Sequence, residues 1–222
     1  MNKRREKRVL VAAATTLEVA PFLDQWKRGE IKNKRVEIDV LITGIGLTAT
    51  TYSLLKQIQL QKPDLILQAG VGGCFDNNIP LGEVVIVKQD SIADQSVIEL
   101  DELKTLFDLQ LVPQDQFPYQ KGWLINRSPL LKTLRIKKVR GVSVNEITTD
   151  LKKRKFYEER FSPTVESMEG AALHYVALRE NIEFLQLRSF SNYIAERNKK
   201  NWNMRTSIEN LNHTLIRILE KI

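Results

Sequence analysis

Six short apolar runs, each bounded by glycine, proline or polar turn residues, set the limits on what this chain can fold into. Val9–Ala14, Val36–Ile42, Pro63–Ala69, Glu83–Val87, Val139–Val144 and Phe184–Phe190 are five to seven residues long. That length suits strands buried on both faces and falls far short of the ~20 apolar residues a bilayer span needs. Between them the spacing turns helical. Leu47–Leu60 puts Leu47, Leu54, Leu55 and Ile58 on one face, Met168–Arg179 opens with the small residues Gly170-Ala-Ala172, and Trp202–Ile222 closes the chain. Thr15 and Thr16 can cap a further helix, whose first turn accommodates Pro21. Strand and helix alternating in this order predict an α/β layer fold with a mostly parallel sheet. The stretch 95–135, with weak periodicity and three of the seven prolines, reads as loop and short helix.

Apolar residues at 42 % and charged residues at 27 % of 222 describe an ordinary globular chain with one substantial core. No repeat or linker divides it, so the expected organisation is a basic tail over 1–8 and a single domain over 9–222. The stretch after Met1-Asn-Lys-Arg-Arg-Glu-Lys-Arg8 lacks the apolar length and cleavage site of a secretory signal. One cysteine, Cys74, excludes an intramolecular disulfide, and two histidines, His174 and His213, offer no metal-ligand set. These features point to a reducing cytoplasm, with no metal and no membrane. The net charge of +7 is segregated: residues 1–8 carry five bases and one acid, 132–155 nine bases and two acids, and 90–115 seven acids and one base. Such runs read as solvated faces or as attraction for an anionic ligand. No aromatic-interleaved basic motif accompanies them, which argues against nucleic acid as a partner.

Four segments carry candidate chemistry. Gly44-x-Gly46-x-x-Ala49 satisfies the dinucleotide fingerprint formally, but no acid ends a strand about 20 residues on; a tight turn and a turn lining another ligand are the competing readings. Gly70-Val71-Gly72-Gly73 ends a buried strand, where glycines let backbone amides approach a ligand at the carboxyl edge of a sheet. Cys74, which follows, reads as a packing residue because nothing near it in sequence would activate a thiol. Glu166-Ser-Met168-Glu169 places acids at a helix N-terminus, which the helix dipole alone would favour. Ser191-Asn192 follows an apolar strand directly, a position from which a side chain can read a ligand edge.

Together, Leu17-Glu18-Val19, Thr43-Gly-Ile-Gly46, Ala69–Gly73 with Gly82-Glu-Val-Val85, Glu166–Ala172 and Arg188-Ser-Phe-Ser-Asn192 resemble the purine nucleosidase and nucleoside phosphorylase family. The resemblance implies a three-layer α/β/α domain around a twisted mixed sheet, a homodimer or higher homo-oligomer, no cofactor, and cleavage of a purine–ribose bond. It further implies roles. Glu18 matches the carboxylate that orients and deprotonates water. Met168 packs on the ribose and Glu169 accepts from its hydroxyls. Gly72 and Gly73 flank the base beside Gly70 and Val71, and the 143–147 stretch, with Val144 and Ile147, adds base contacts. Ser191 and Asn192 stand at the purine edge.

Two departures refine this implication. Family phosphorylases hold phosphate with arginines, whereas 12–21 and 69–80 contain neither Arg nor Lys, so water is the expected acceptor. Relatives that cleave adenine nucleosides carry Asp where this chain has Asn192. An amide cannot deliver a proton to N7, but it can accept from an N7–H while donating to a 6-oxo group, which favours a departing hypoxanthine. The run Ser191-Asn192-x-x-x-Glu196-Arg197-Asn198 with Trp202 looks most like the futalosine-hydrolysing branch of the family. Its substrate bears a remote carboxylate, for which Arg197 is a candidate partner; a solvated charge is the other reading. A methylthioadenosine/S-adenosylhomocysteine nucleosidase, a 6-oxopurine nucleoside phosphorylase and a non-catalytic nucleoside-binding protein are the alternatives.

Overall fold

The computed structural model describes residues 6–31, 33, 35–196 and 198–222. In chain order the elements are β1 (Lys7–Ala13), a 3-10 turn (Thr16–Val19), α1 (Ala20–Lys27), β2 (Val36–Ile42), α2 (Leu47–Leu60), β3 (Leu65–Cys74) and β4 (Val84–Asp90). Then come β5 (Ser96–Glu99), β6 (Glu102–Thr105), β7 (Tyr119–Gln120), β8 (Trp123–Ile125), α3 (Leu130–Thr133) and β9 (Lys138–Ser143). The chain ends with α4 (Leu151–Phe161), β10 (Val165–Ser167), α5 (Gly170–Arg179), β11 (Glu183–Tyr193) and α6 (Met204–Leu219).

Strand β1 shows why the layers form. Val9, Val11 and Ala13 point into one apolar cluster with Phe22 of α1 and Leu211, Leu215 and Leu219 of α6. Leu10 and Ala12 point the other way, against Leu54 and Ile58 of α2 and Leu173 and Val176 of α5. A strand apolar on both faces needs helices on both, and the three-layer α/β/α arrangement implied by the sequence is the result.

The main sheet runs β2-β1-β3-β10-β9-β4-β8-β7, with β11 joining β3 to β4. Strand β11 pairs parallel with β3 and antiparallel with β4, while β3–β10, β10–β9 and β9–β4 complete the circuit. Five strands therefore close on themselves, leaving β1 and β2 as a parallel flank. Glu18 follows a central strand, since β1 lies between β2 and β3.

Three features differ from the sequence expectation. The glycines after Ala69 do not end β3; the strand runs on to Cys74. Pairing with β10 and β11 carries the strand through Gly73 and Cys74, and close neighbours are what require glycine there. A Cβ on Gly72 would lie 2.8 Å from the Glu166 carbonyl oxygen, and one on Gly73 would strike Ile194. The 95–135 stretch forms two small antiparallel hairpins, β5–β6 and β7–β8, as well as the short α3. Helix α4, with no counterpart in the apolar pattern, starts where Asp150 accepts from the Lys153 N–H at 2.8 Å and buries only Tyr157 and Phe161. Its basic face meets the acidic stretch through Lys152, which pairs with Asp101, and Arg160, which pairs with Asp108, while Lys153 pairs with the nearer Glu146. Much of the charge segregated in sequence is thus neighbouring in space.

Candidate active site

A cavity of about 320 Å³ opens where β1, β3, β10 and β11 end or bend. Its floor is β3. Glu18 sits on the 3-10 turn after β1, buried at 8 % exposure. The Thr15 N–H and hydroxyl donate to its Oε2 at 3.0 and 3.1 Å, and the Val71 N–H donates to Oε1 at 3.0 Å. Three donors fix the carboxylate, and its remaining lone pairs are left for a ligand. From α6, Asn212 holds the same turn, donating to the Glu18 carbonyl at 2.8 Å and accepting from the Phe22 N–H at 3.0 Å.

Glu169 precedes α5 and is also buried. Its Oε1 accepts from the Gly46 N–H at 3.2 Å, and its Oε2 lies 3.3 Å from Arg188 Nη2. The Gly44–Gly46 turn, where both glycines have positive φ, therefore serves to aim an N–H at this carboxylate. Burial pushes the Glu169 carboxyl up; the Arg188 cation and the Gly46 N–H oppose that, and the nearby Glu18 charge reinforces it.

Arg188 is the functional residue that sequence reading placed in a motif but gave no task. It is 1 % exposed and donates to Gln68 at 2.9 Å as well as to Glu169. Gly70 makes room for it: a Cβ there would overlap the guanidinium and lie 3.0 Å from Glu18 Oε1. The signal was present, as an arginine inside an apolar strand must find a buried partner.

The other end of the floor is flanked by Asn192, which a β-bulge at Ser191 aligns with Gly73. Its Nδ2 donates to the Tyr193 carbonyl at 3.0 Å and its Oδ1 accepts from Ser191 Oγ at 2.9 Å. A carbonyl can only accept, so the orientation of the amide is fixed, with one N–H and one lone pair still free. Strand rise makes Gly70 to Gly73 about 10 Å, roughly the length of a ribose with its base.

Val71, Gly72, Gly73, Ile147, Met168, Glu169, Ser191 and Asn192 all line the cavity with Glu18. Two expected contacts lie elsewhere. Gly70 faces Arg188 beneath the floor, and Val144 is fully buried among Phe75, Ala93, Val142 and Tyr157. No residue of 139–146 lines the cavity, which this part of the chain reaches only at Ile147 and Thr148. Arg197 lies outside the described residues. Thr148 and Glu166 line the cavity without having been assigned a contact from sequence. Cys74 is buried, its Sγ 3.3 Å from the Asp76 carbonyl, and burial pushes its thiol up to about 11. It is a packing residue. Among the described residues no cluster of His, Cys, Asp and Glu could hold a metal, and no helix is long and apolar enough to cross a membrane.

The family model described as the Phosphorylase superfamily matches residues 8–221. The chain belongs to that superfamily. It is 24 % identical over 180 residues to the 5'-methylthioadenosine/S-adenosylhomocysteine nucleosidase of Maridesulfovibrio salexigens, covering 72 % of this chain and 70 % of the relative. It is equally 24 % identical over 182 residues to the futalosine hydrolase of Thermus thermophilus, covering 81 % of this chain and 80 % of the relative. The fold matches the crystal structure of the 5'-methylthioadenosine/S-adenosylhomocysteine nucleosidase of Helicobacter pylori with butyl-thio-DADMe-Immucillin-A. The TM-score is 0.79 at 16 % identity, covering 99 % of this chain and all of the other.

Proposed function

We propose that this protein is an N-ribosyl hydrolase of purine nucleosides, acting on a 6-oxopurine nucleoside, with futalosine as the substrate and hypoxanthine as the released base. The nucleoside lies along β3, its ribose over Val71 and its base over Gly72–Gly73. Met168 packs against the sugar, and Glu169 accepts from its hydroxyls. Glu18 takes a proton from the attacking water. As the bond to the base breaks, the sugar becomes cationic, the nearby carboxylates favour that charge, and the departing base takes its N7 proton from solvent, since the Asn192 amide cannot supply one.

Four glutamates line the cavity, Glu18, Glu166, Glu169 and Glu196. This supports water over phosphate, because phosphate would have to sit at the reacting sugar beside Glu18 and Glu169, whereas the substrate's own carboxylate is remote from it. Arg188 is already committed to Gln68 and Glu169. Similarity to known sequences does not choose between the two nucleosidase activities, being 24 % in both cases. The observation that carries the choice is Asn192, whose free lone pair and N–H match the N7–H and 6-oxygen of departing hypoxanthine.

Base release from futalosine, inosine and methylthioadenosine, followed by chromatography with and without phosphate, tests the reading. The expected result is phosphate-independent hypoxanthine from futalosine. Adenine from methylthioadenosine would leave the hydrolase and reverse the substrate. Release that requires phosphate would make the enzyme a phosphorylase.

A further inference from the structure

Glu166 is the second residue of β10 and is 5 % exposed. Its Oε1 accepts from the Thr148 N–H at 3.1 Å, whereas its buried Oε2 has no hydrogen-bond partner. A buried carboxylate oxygen without a donor is costly and calls for an explanation. Burial pushes this carboxyl up against the contacts from Thr148, so a donor arriving at Oε2 would relieve the site.

Strand register says where that donor would come from. Glu166 pairs with Gly73 across one edge of β3, and Asn192 pairs with Gly73 across the other. Both side chains line the cavity. Glu18 and Glu169 gather at the opposite end, by Gly70 and Val71. A purine lying over Gly72–Gly73 with its N7 edge towards Asn192 turns its six-membered ring towards Glu166.

We propose that Glu166 determines base specificity, its Oε2 accepting the N1–H of a 6-oxopurine while Asn192 reads N7 and O6. This rests on the nucleosidase reading above and deepens it. A 6-oxopurine offers a donor at N1 beside an acceptor at C6; a 6-aminopurine offers an acceptor at N1 beside a donor. An ionised carboxylate only accepts. Against adenine, Glu166 would face the N1 lone pair and the Asn192 N–H would face the amino group, and unmatched buried pairs discriminate strongly. The purely structural role, pinning the 145–148 loop through Thr148, uses Oε1 alone.

Glu166→Gln separates the two roles. The amide keeps a carbonyl oxygen for the Thr148 N–H and replaces Oε2 with a donor. Affinities of free hypoxanthine, 1-methylhypoxanthine and adenine are measured for the wild-type protein and the variant. The wild type should bind hypoxanthine more tightly than the other two. In the variant hypoxanthine should weaken by about 10- to 100-fold, with adenine unchanged or tighter. A hypoxanthine preference that survives Glu166→Gln within threefold overturns the role of Glu166 and leaves the 6-oxopurine reading standing. A wild type without that preference overturns the reading itself, and this inference with it. Should the variant fail to fold, equal binding of hypoxanthine and 1-methylhypoxanthine by the wild type overturns the N1–H contact, and binding of the methylated base at least tenfold weaker upholds it.

Discussion

Glu18 and Glu169 are two carboxylates made different by their donors. Glu18 receives three neutral hydrogen bonds and meets the cavity, whereas Glu169 is shared between a backbone N–H and the buried Arg188. That division supports the proposed roles, proton acceptor for Glu18 and sugar holder for Glu169. Glu18→Gln keeps the size and the acceptor oxygen but removes the base. Its rate of base release should fall by about 10²- to 10⁴-fold, with hypoxanthine binding retained in a calorimetric titration; a rate within a few-fold of wild type would take Glu18 out of the chemistry. Asn192→Asp exchanges the donor to O6 for an acceptor, and the ratio of adenine to hypoxanthine nucleoside turnover should rise by about tenfold or more. An unchanged ratio would move base selection to other residues. Glu18, Met168, Glu169 and Asn192 were legible because each sits in a short motif at a strand end. Gly70 lies just beneath the cavity floor and Val144 three residues before the lining Ile147, offsets that spacing alone does not resolve. Glu166 looked like an ordinary dipole-compensating acid until its unpartnered oxygen could be seen.

Elements were legible where periodicity was strong. β2 and α2 match their sequence bounds, Val36–Ile42 and Leu47–Leu60. Helix α4 was hidden because a helix that buries only two residues has almost no apolar stripe. The hairpins of 95–135 were hidden because strands of two to four residues carry too few alternations. Beneath the site, β4, β9, α5 and β11 share a buried polar seam. Ser143 Oγ donates to Asp90 at 3.0 Å and accepts from the Ala171 N–H at 2.8 Å, and His174 Nδ1–H donates to the Leu124 carbonyl at 2.8 Å. Burial pushes Asp90 up to about 6 and His174 down to about 4. Folding favours protonated Asp90, so its contribution is complete below its ordinary value of 3.8 and is lost as pH rises through 6. Folding favours neutral His174, so its contribution is complete above 6.5 and is lost as pH falls through 4. Each is worth about 3 kcal/mol, and the two slopes oppose. Urea titrations at intervals across this range should therefore show a flat profile from the pair. Asp90→Asn should turn it into a rise with pH and His174→Gln into a fall. Variant profiles parallel to the wild type would refute the compensation.

At the scale of the whole molecule, the closed circuit decides how the protein comes apart. Its strands are drawn from Leu65–Cys74, Val84–Asp90, Lys138–Ser143, Val165–Ser167 and Glu183–Tyr193. Losing any one opens two edges, and α6 packs its Leu211, Leu215 and Leu219 into the same cluster as β1. This supports the single domain over 9–222 and sets a requirement: unfolding must be one event. The segment most suspected of independence is 95–135, because its pairs with α4 are exposed, as in Lys152–Asp101, and such pairs contribute about 0–1 kcal/mol. What ties it in is apolar: Leu124 is fully buried on β8, which pairs with β4, and Trp123 meets Phe161 edge-on at 5.9 Å. Tryptophans report from three places. Trp26 stacks on Phe22 in α1, Trp123 lies on β8, and Trp202 lines the cavity with its Nε1 donating to the Glu196 carbonyl at 3.1 Å. Urea transitions followed by far-UV circular dichroism and by tryptophan fluorescence should coincide, and should stay coincident in 1 M salt, where exposed ion pairs are screened. A fluorescence transition that comes first, and loses its early phase in Trp123→Phe, would show that the hairpins unfold alone. Coincidence in both salts would mean that burial of Leu124 and Trp123, not charge, attaches the acidic segment to the circuit that forms the site.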